Sequence, residues 1–213
     1  MKVTAAAPSL LMLVFVCGAV AAGCTGTSRI VLPAFDVEIA TPNVRRTTTD
    51  PPTIHVARFE RPTMGQDPER IGSARSGMSG RRASVRISEH PGDLIARTIA
   101  AALTDAGIEL ASSDDARVVL TGSIARFDVE ERSEGSTFEV AAADVRFSAE
   151  LAATENGVPR TVLSGEYTGQ AVSHPALDAT QEQRYMLADA ISEAVGSLLN
   201  EPELWRALGM TPR

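Results

Sequence analysis

Cysteine is nearly absent from this chain: two residues in 213, Cys17 and Cys24. Cys17 lies inside an N-terminal apolar run. Once that run is removed and Cys24 is modified, no thiol remains for a disulfide, a nucleophile or a Cys-ligated metal. Lysine is confined to Lys2, so every other basic side chain is Arg. Histidine occurs three times, as His55, His90 and His174, far apart and without HExxH or HxH spacing, which points to solvated or capping roles. No serine sits in a GxSxG turn. Gly77-Met78-Ser79-Gly80-Arg81 is glycine-rich but lacks the GxxxxGK pattern and the strand-to-helix setting of a phosphate loop. The acidic pairs Asp114-Asp115 and Glu130-Glu131 read as solvation of a turn and of an edge strand. A formal net charge of −7 argues against a general nucleic-acid binder. These absences leave no catalytic residue and no metal site to name, and the expectation is a non-enzyme.

What is present begins with the N-terminus. Lys2 supplies a positive start, Leu10 to Val20 an apolar core, and Ala21-Ala22-Gly23 the small residues of a cleavage point, the three parts of a secretory signal. The apolar core is shorter than the roughly 20 residues of a membrane-spanning helix. The ending Val20-Ala21-Ala22-Gly23-Cys24 resembles a bacterial lipobox, with Ala21 in place of the usual Leu. That resemblance implies that residues 1–23 are a signal peptide and that Cys24 becomes the first mature residue. The cofactor expectation is none beyond covalent diacylglycerol and N-acyl lipid on Cys24. Each buried methylene of such chains contributes about 0.8 kcal/mol to membrane attachment. Thr25, rather than Asp, follows the cysteine, which favours the outer membrane in a diderm host, the domain facing the periplasm.

Composition suits a packed domain, at 44% hydrophobic and 22% charged residues. Residues 24–52 are rich in Thr, Pro and Arg, and Arg45 to Pro52 reads as an extended linker, since paired prolines neither donate backbone hydrogen bonds nor continue a helix. The domain is expected over 53–209. Ile54 to Phe59 alternates as a strand. Residues 60–92 carry Gly, Ser, Pro and Arg and read as a long irregular loop, with Val85-Arg86-Ile87 able to pair at an edge. A helix follows from about Gly92, with Asp93 as N-cap, Leu94, Ile95, Ile99, Ala102, Leu103 and Ala106 on one face, and Gly107 as its stop. Three strands come next, about 117–131, 137–154 and 159–172. Apolar parity flips within the first two, which predicts bulges at facing positions. Asn156-Gly157 predicts a type I′ turn. A last helix runs from about Thr180 to Asn200, and Glu203 to Leu208 forms a short terminal turn. The sum is an α+β domain of order β-α-β-β-β-α: an antiparallel-dominated sheet with two helices packed on one face.

The 60–92 stretch is also where a partner is expected. Arg58, Arg61, Arg70, Arg75, Arg81, Arg82 and Arg86 cluster there in an otherwise acidic chain, and guanidinium forks pair with phosphate or carboxylate. The competing reading is that they balance Asp67, Glu69 and Glu89 or are simply solvated.

The order of these parts, with Asp67-Pro68-Glu69-Arg70-Ile71-Gly72-Ser73-Ala74-Arg75, the helix end Leu103-Thr104-Asp105-Ala106-Gly107-Ile108 and the terminal run Leu198 to Leu204, resembles the YajG-like family of bacterial outer-membrane lipoproteins. Auxiliary lipoproteins of ABC-type lipid transporters and the N-terminal domain of TolB share the architecture. The resemblance implies a lipid-anchored envelope protein and hands over no catalytic residues. The functional expectation is an accessory or assembly factor with an envelope protein partner and no nucleic acid. An auxiliary subunit of lipid or lipopolysaccharide transport and an envelope hydrolase are the alternatives.

Overall fold

A computed structural model describes residues 29–62, 67–76, 81–134, 138–173 and 179–212. The expected signal peptide and lipidation site, Cys24, together with Gly77 to Gly80 and His174, lie outside them. Three long strands form the frame: β6 (Val118–Glu134), β7 (Phe138–Glu155) and β8 (Val158–Ser173), antiparallel neighbours in one sheet. The expected turn closes the β7–β8 hairpin, with Asn156 and Gly157 both at positive φ, 51° and 80°. Parity flips in β6 because Ala125 is an extra residue between the Ile124 and Arg126 pairings, so the buried set changes from Val118, Leu120 and Ile124 to Phe127 and Val129. The bulge expected in β7 is absent from its pairing with β6. Residues 141–145 are buried at both parities instead, which mimics a flip, and the second irregularity falls opposite Leu151 and Ala152, where Val162 of β8 is the extra residue.

Helix α1 (Pro91–Asp105) and helix α2 (Ala179–Leu199) bury the predicted stripes, from Leu94 to Leu103 and from Met186 to Leu199. Gly107, at φ 82°, ends α1 as expected. Its N-cap, however, is His90 rather than Asp93: His90 Nδ1 accepts the Gly92 N–H at 3.0 Å. Helix α2 seats directly on β8, because Gly169 has no side chain; a Cβ there would lie 1.9 Å from the Ala190 carbonyl oxygen. Between helices and sheet, Phe59 meets Phe147 edge-on at 5.3 Å. Short α3 (Pro202–Ala207) buries Leu204 and Trp205. No helix among the described residues is long and apolar enough to cross a membrane.

Two expectations change here. The segment 24–52 is not merely a spacer, because β1 (Arg29–Leu32) pairs in parallel with β5 (Arg81–Ile87), and Ile30, Leu32 and Phe35 enter the core. Further on, β2 (Val44–Arg46) pairs with β9 (Met210–Pro212), so the body extends past 209. The irregular stretch 60–92 in turn contains a hairpin, β4 (Arg70–Ser76) with β5. Its apolar residues are few, since only Ile71, Ala74, Ala83, Val85 and Ile87 face inward, and alternation with Arg and Ser hid the strand signal. The observed order is longer than the expected β-α-β-β-β-α: β3 (Ile54–Val56), α1, β6, β7, β8 and α2 follow one another, but among the described residues five further strands and a third helix belong to the same body. The main sheet has the order β1-β5-β4-β6-β7-β8, with β3 also on β6, and most of its pairing is antiparallel.

Candidate functional site

The arginine-bearing stretch is built around one gap. β3 and β4 both lie along the same edge of β6, β3 opposite Val118 to Leu120 and β4 opposite Val129 and Glu130. Between them the β6 edge is left without a strand near the Ala125 bulge. Arg61 fills that space, donating from Nη1 to the Pro68 carbonyl (2.9 Å) and the Arg70 carbonyl (3.4 Å), and from Nη2 to the Phe127 carbonyl (3.5 Å). Burial lowers its pKa from the ordinary guanidinium value, and Asp128 partly opposes this. Past the gap, β4 crosses so close to β6 that Gly72, at φ 150°, has no room for a side chain; a Cβ would stand 1.8 Å from the Val129 carbonyl oxygen.

The other arginines divide by position. Arg86 pairs with Asp67 and, at 3.4 Å, with Glu69, fastening β5 to the turn that precedes β4. Arg58 Nε lies 3.3 Å from Asp93 at the start of α1. These three are therefore spent on the fold. Arg70 and Arg82 are exposed. Arg75 and Arg81 lie in β4 and β5, opposite Arg82 and Ser76, and their side chains are outside the described set. By backbone position the seven are spread out: Arg75, Arg81 and Arg82 fall at the end of the hairpin where β4 leads into β5, and Arg70 and Arg86 at its other end.

Two polar groupings were missed by sequence reasoning. An open cleft of about 700 Å³ lies where β1 and β5 end beside α1, lined by Ala34, Phe35, Asp36, Ser88, Glu89, His90, Asp93 and Arg97. Its one arginine is already engaged. Arg97 donates to Glu89 (3.1 and 2.8 Å), to the Phe35 carbonyl (2.9 Å) and to Asp36, and the Glu89 hydrogen bond leads in raising its pKa. Such a saturated guanidinium holds the entering chain and has no fork left for an anion. His90, on the same wall, has its pKa lowered by burial first and by Arg58 next. The second grouping is on the sheet face away from the helices. Asp128 and Asp144 stand directly opposite each other in β6 and β7, and Arg126 bridges them at 3.0 and 3.1 Å, with Gln170 of β8 at 3.5 Å from Asp144. Like charges across a ladder are unfavourable, and the bulge at Ala125 is what aims Arg126 at both. The clue in the sequence was an Arg-x-Asp after a parity flip.

Of the histidines, His55 places Nδ1 3.2 Å from the Ala111 carbonyl oxygen, and His90 caps α1. Among the described residues no three or more His, Cys, Asp or Glu come together in a way that would hold a metal.

The class these features define is a mixed α+β domain with a sheet of mostly antiparallel strands and, among the described residues, three helices. No protein-family model matches the chain, and no curated protein matches it. Among solved structures, protein XCC0632 from Xanthomonas campestris, described as family-model DUF330, is similar in fold, with a TM-score of 0.53 and 16% identity over 84% of this chain and 95% of that one. A minor lipoprotein from Acinetobacter baumannii aligns with a TM-score of 0.41 and 11% identity, over 72% of this chain and 92% of its own. Lipoprotein GNA1162 from Neisseria meningitidis aligns with a TM-score of 0.35 and 15% identity, over 71% of this chain and all (100%) of its own.

Proposed function

We propose that this protein is a non-enzymatic lipoprotein of the bacterial cell envelope, anchored through Cys24 and serving as an accessory or assembly factor for an envelope protein. The observation that carries the partner reading is the free edge of β8. Among the described residues β8 is the last strand of the sheet, 16 residues long and paired only with β7. Long open edges invite strand addition, in which backbone bonds give affinity and alternate side chains give selectivity. One point of this edge is guarded: the Gln170 N–H donates to Glu193 of α2 at 2.7 Å. Because N–H groups alternate sides along an antiparallel strand, that contact fixes the outward set as Gln170, Thr168, Glu166 and Ser164. The lipobox-like ending at Cys24 supports the anchor, and the arrangement of Gly72 against β6 gives a physical reason for the Ile71-Gly72 motif behind the YajG-like resemblance.

A photo-crosslinker at Ser164 tests this in intact envelopes. A discrete adduct is expected, and Glu166→Pro should abolish it while leaving the far-ultraviolet spectrum unchanged, since proline at that position removes an outward donor and no ladder bond. No adduct, or one indifferent to the proline, rejects the edge as the docking site.

A further inference from the structure

A strand added to β8 would turn alternate side chains to the two faces of the sheet. On the face away from the helices its neighbours are Ser164, Glu166 and Thr168, all exposed, and Glu166 already has Arg146 beside it at 3.7 Å. On the helix side its neighbours are Gly165, Tyr167 and Gly169. At Gly169 that side is closed, because the α2 backbone lies against it. At Gly165 it is open, since this glycine is half-buried and carries no side chain of its own.

The tip of Tyr167 and the start of α3 occupy that level. A Cβ on Gly165 would lie 2.7 Å from the Tyr167 hydroxyl, so the ring runs back along β8 toward this glycine. The hydroxyl is buried and has no partner among the described residues. Burial first, and then the charges of Glu201 and Glu203, push its pKa up to about 12, so both carboxylates stand close to it. The two are not equivalent. Glu203 is matched to Arg206 at 2.8 Å. Glu201 is the N-cap residue of α3, yet its side chain makes no capping bond, and it has no ion pair among the described residues. Further along the edge, Glu193 accepts from the Gln170 N–H, and Asp189 sits one turn before it on the same flank of α2. From Asp189 to Glu203 the chain has four acids and no basic residue. The helix side of the β8 edge is thus a row of carboxylates, with Glu201 uncommitted at the open level.

We infer that the segment added to β8 carries a lysine or arginine opposite Gly165, its side chain turned to the helix side and its charge on Glu201. The inference rests on the β8 edge being the docking site and names the chemistry of the occupant: an extended stretch of an envelope protein with a basic residue at this one level. Reach agrees with it. Facing residues of neighbouring strands have Cβ atoms about 4.5–5.5 Å apart, and with glycine opposite, nothing on β8 blocks the crossing. A lysine or arginine stem can lie along the apolar surface of Tyr167 and keep its charge at the rim. The ring beneath excludes water from one side of the pair, which strengthens the attraction.

Three short peptides test this on the mature acylated protein in detergent: Thr-Val-Thr-Lys-Thr-Val-Thr and its counterparts with norleucine or glutamate at the centre, each carrying a dye for fluorescence anisotropy. The lysine peptide should bind about five-fold more tightly than the norleucine peptide, the upper range for a partly exposed ion pair, and the glutamate peptide more weakly than either. Glu201→Gln should remove the lysine advantage and leave the norleucine affinity unchanged, which also shows that the variant is folded. Glu201→Lys should hand the advantage to the glutamate peptide. Equal affinities for the three, or a lysine advantage that survives Glu201→Gln, overturn the inference. Glu166→Pro separates it from the reading it rests on. If the three peptides bind alike and the proline abolishes all binding, the edge accepts strands without selecting a basic one. If no peptide binds, or binding is indifferent to the proline, the edge fails as a docking site and the inference fails with it. Dimers seen by sedimentation without peptide, and lost in Glu166→Pro, would put a second copy on the edge and overturn the inference as well.

Discussion

His90 does two jobs with one ring. Its neutral Nδ1 accepts the Gly92 N–H and so starts α1, and burial with neighbouring Arg58 keeps its pKa below the ordinary value. A histidine depressed in the folded state binds protons less readily there than when unfolded. Its contribution to stability is therefore complete above the ordinary value of about 6.5 and is lost as pH falls through the depressed one. His90→Asn keeps the acceptor and removes the titration. Urea midpoints at mildly alkaline and mildly acidic pH should fall less for this variant than for the wild type, and equal losses would mean that His90 is not part of the acid sensitivity. His90→Ala should cost about 1 kcal/mol even where the ring is neutral, as other lost caps do. Tyr167 shows the opposite use of burial. Its pKa is pushed up to about 12 by desolvation and then by Glu201 and Glu203, and its hydroxyl meets no partner among the described residues.

At the scale of elements, contact between α2 and the sheet depends on absent side chains as much as on present ones. Gly169 admits the helix backbone to the surface of β8, and the buried row Ala190, Ile191, Ala194 and Val195 follows from that approach. Gly169→Ala should push α2 outward and cost about 3 kcal/mol, a strain of the kind seen when a packed core is overfilled. Gly196 lies in the same helix with nothing within 4 Å of a built Cβ. Gly196→Ala should therefore stabilise by about 0.5–1 kcal/mol, since alanine is the better helix former. Chemical denaturation of the pair reads both signs in one experiment. A Gly169→Ala protein as stable as the wild type would show that helix and sheet are not pressed together at this point.

Across the whole molecule, the C-terminal strand holds a segment that precedes the first long strand by about seventy residues. β2 pairs with β9, Thr47 N–H donates to the Gly209 carbonyl at 2.8 Å, and Met210 is 3% exposed. Upstream, Arg184 of α2 lies over the Phe35 ring at 6.0 Å, and Ser192 donates to the Glu38 carbonyl at 3.2 Å. The N-terminal segment is thereby bound along α2 before it reaches β2. Removing residues 209–213 should lower stability by about 2 kcal/mol, chiefly through loss of the Met210 side chain from the core. It should also open Arg45 and Arg46 to trypsin. The single tryptophan, Trp205, buried beside this clasp, reports the loosening by fluorescence, and unchanged cleavage together with unchanged emission would show the clasp to be incidental.

Local pattern alone located α1, α2, the three long strands and the Asn156-Gly157 turn, because each buries a complete periodic face or needs a turn residue at positive φ. It also placed a bulge in β6, where one extra residue must move the apolar set to the other parity. Tertiary structure decided the rest. Ile30, Leu32 and Phe35 are too few to announce a strand, and they become core only because β5 offers an edge. β4 and β5 alternate Arg and Ser with small apolar residues, so their pairing depends on Gly72 fitting against Val129 rather than on a hydrophobic run. The seven arginines looked alike as a string. Packing separated them, since a guanidinium is either consumed by nearby carbonyls and carboxylates, as in Arg58, Arg61 and Arg86, or left at a strand end where register, which no local pattern encodes, sets its neighbours.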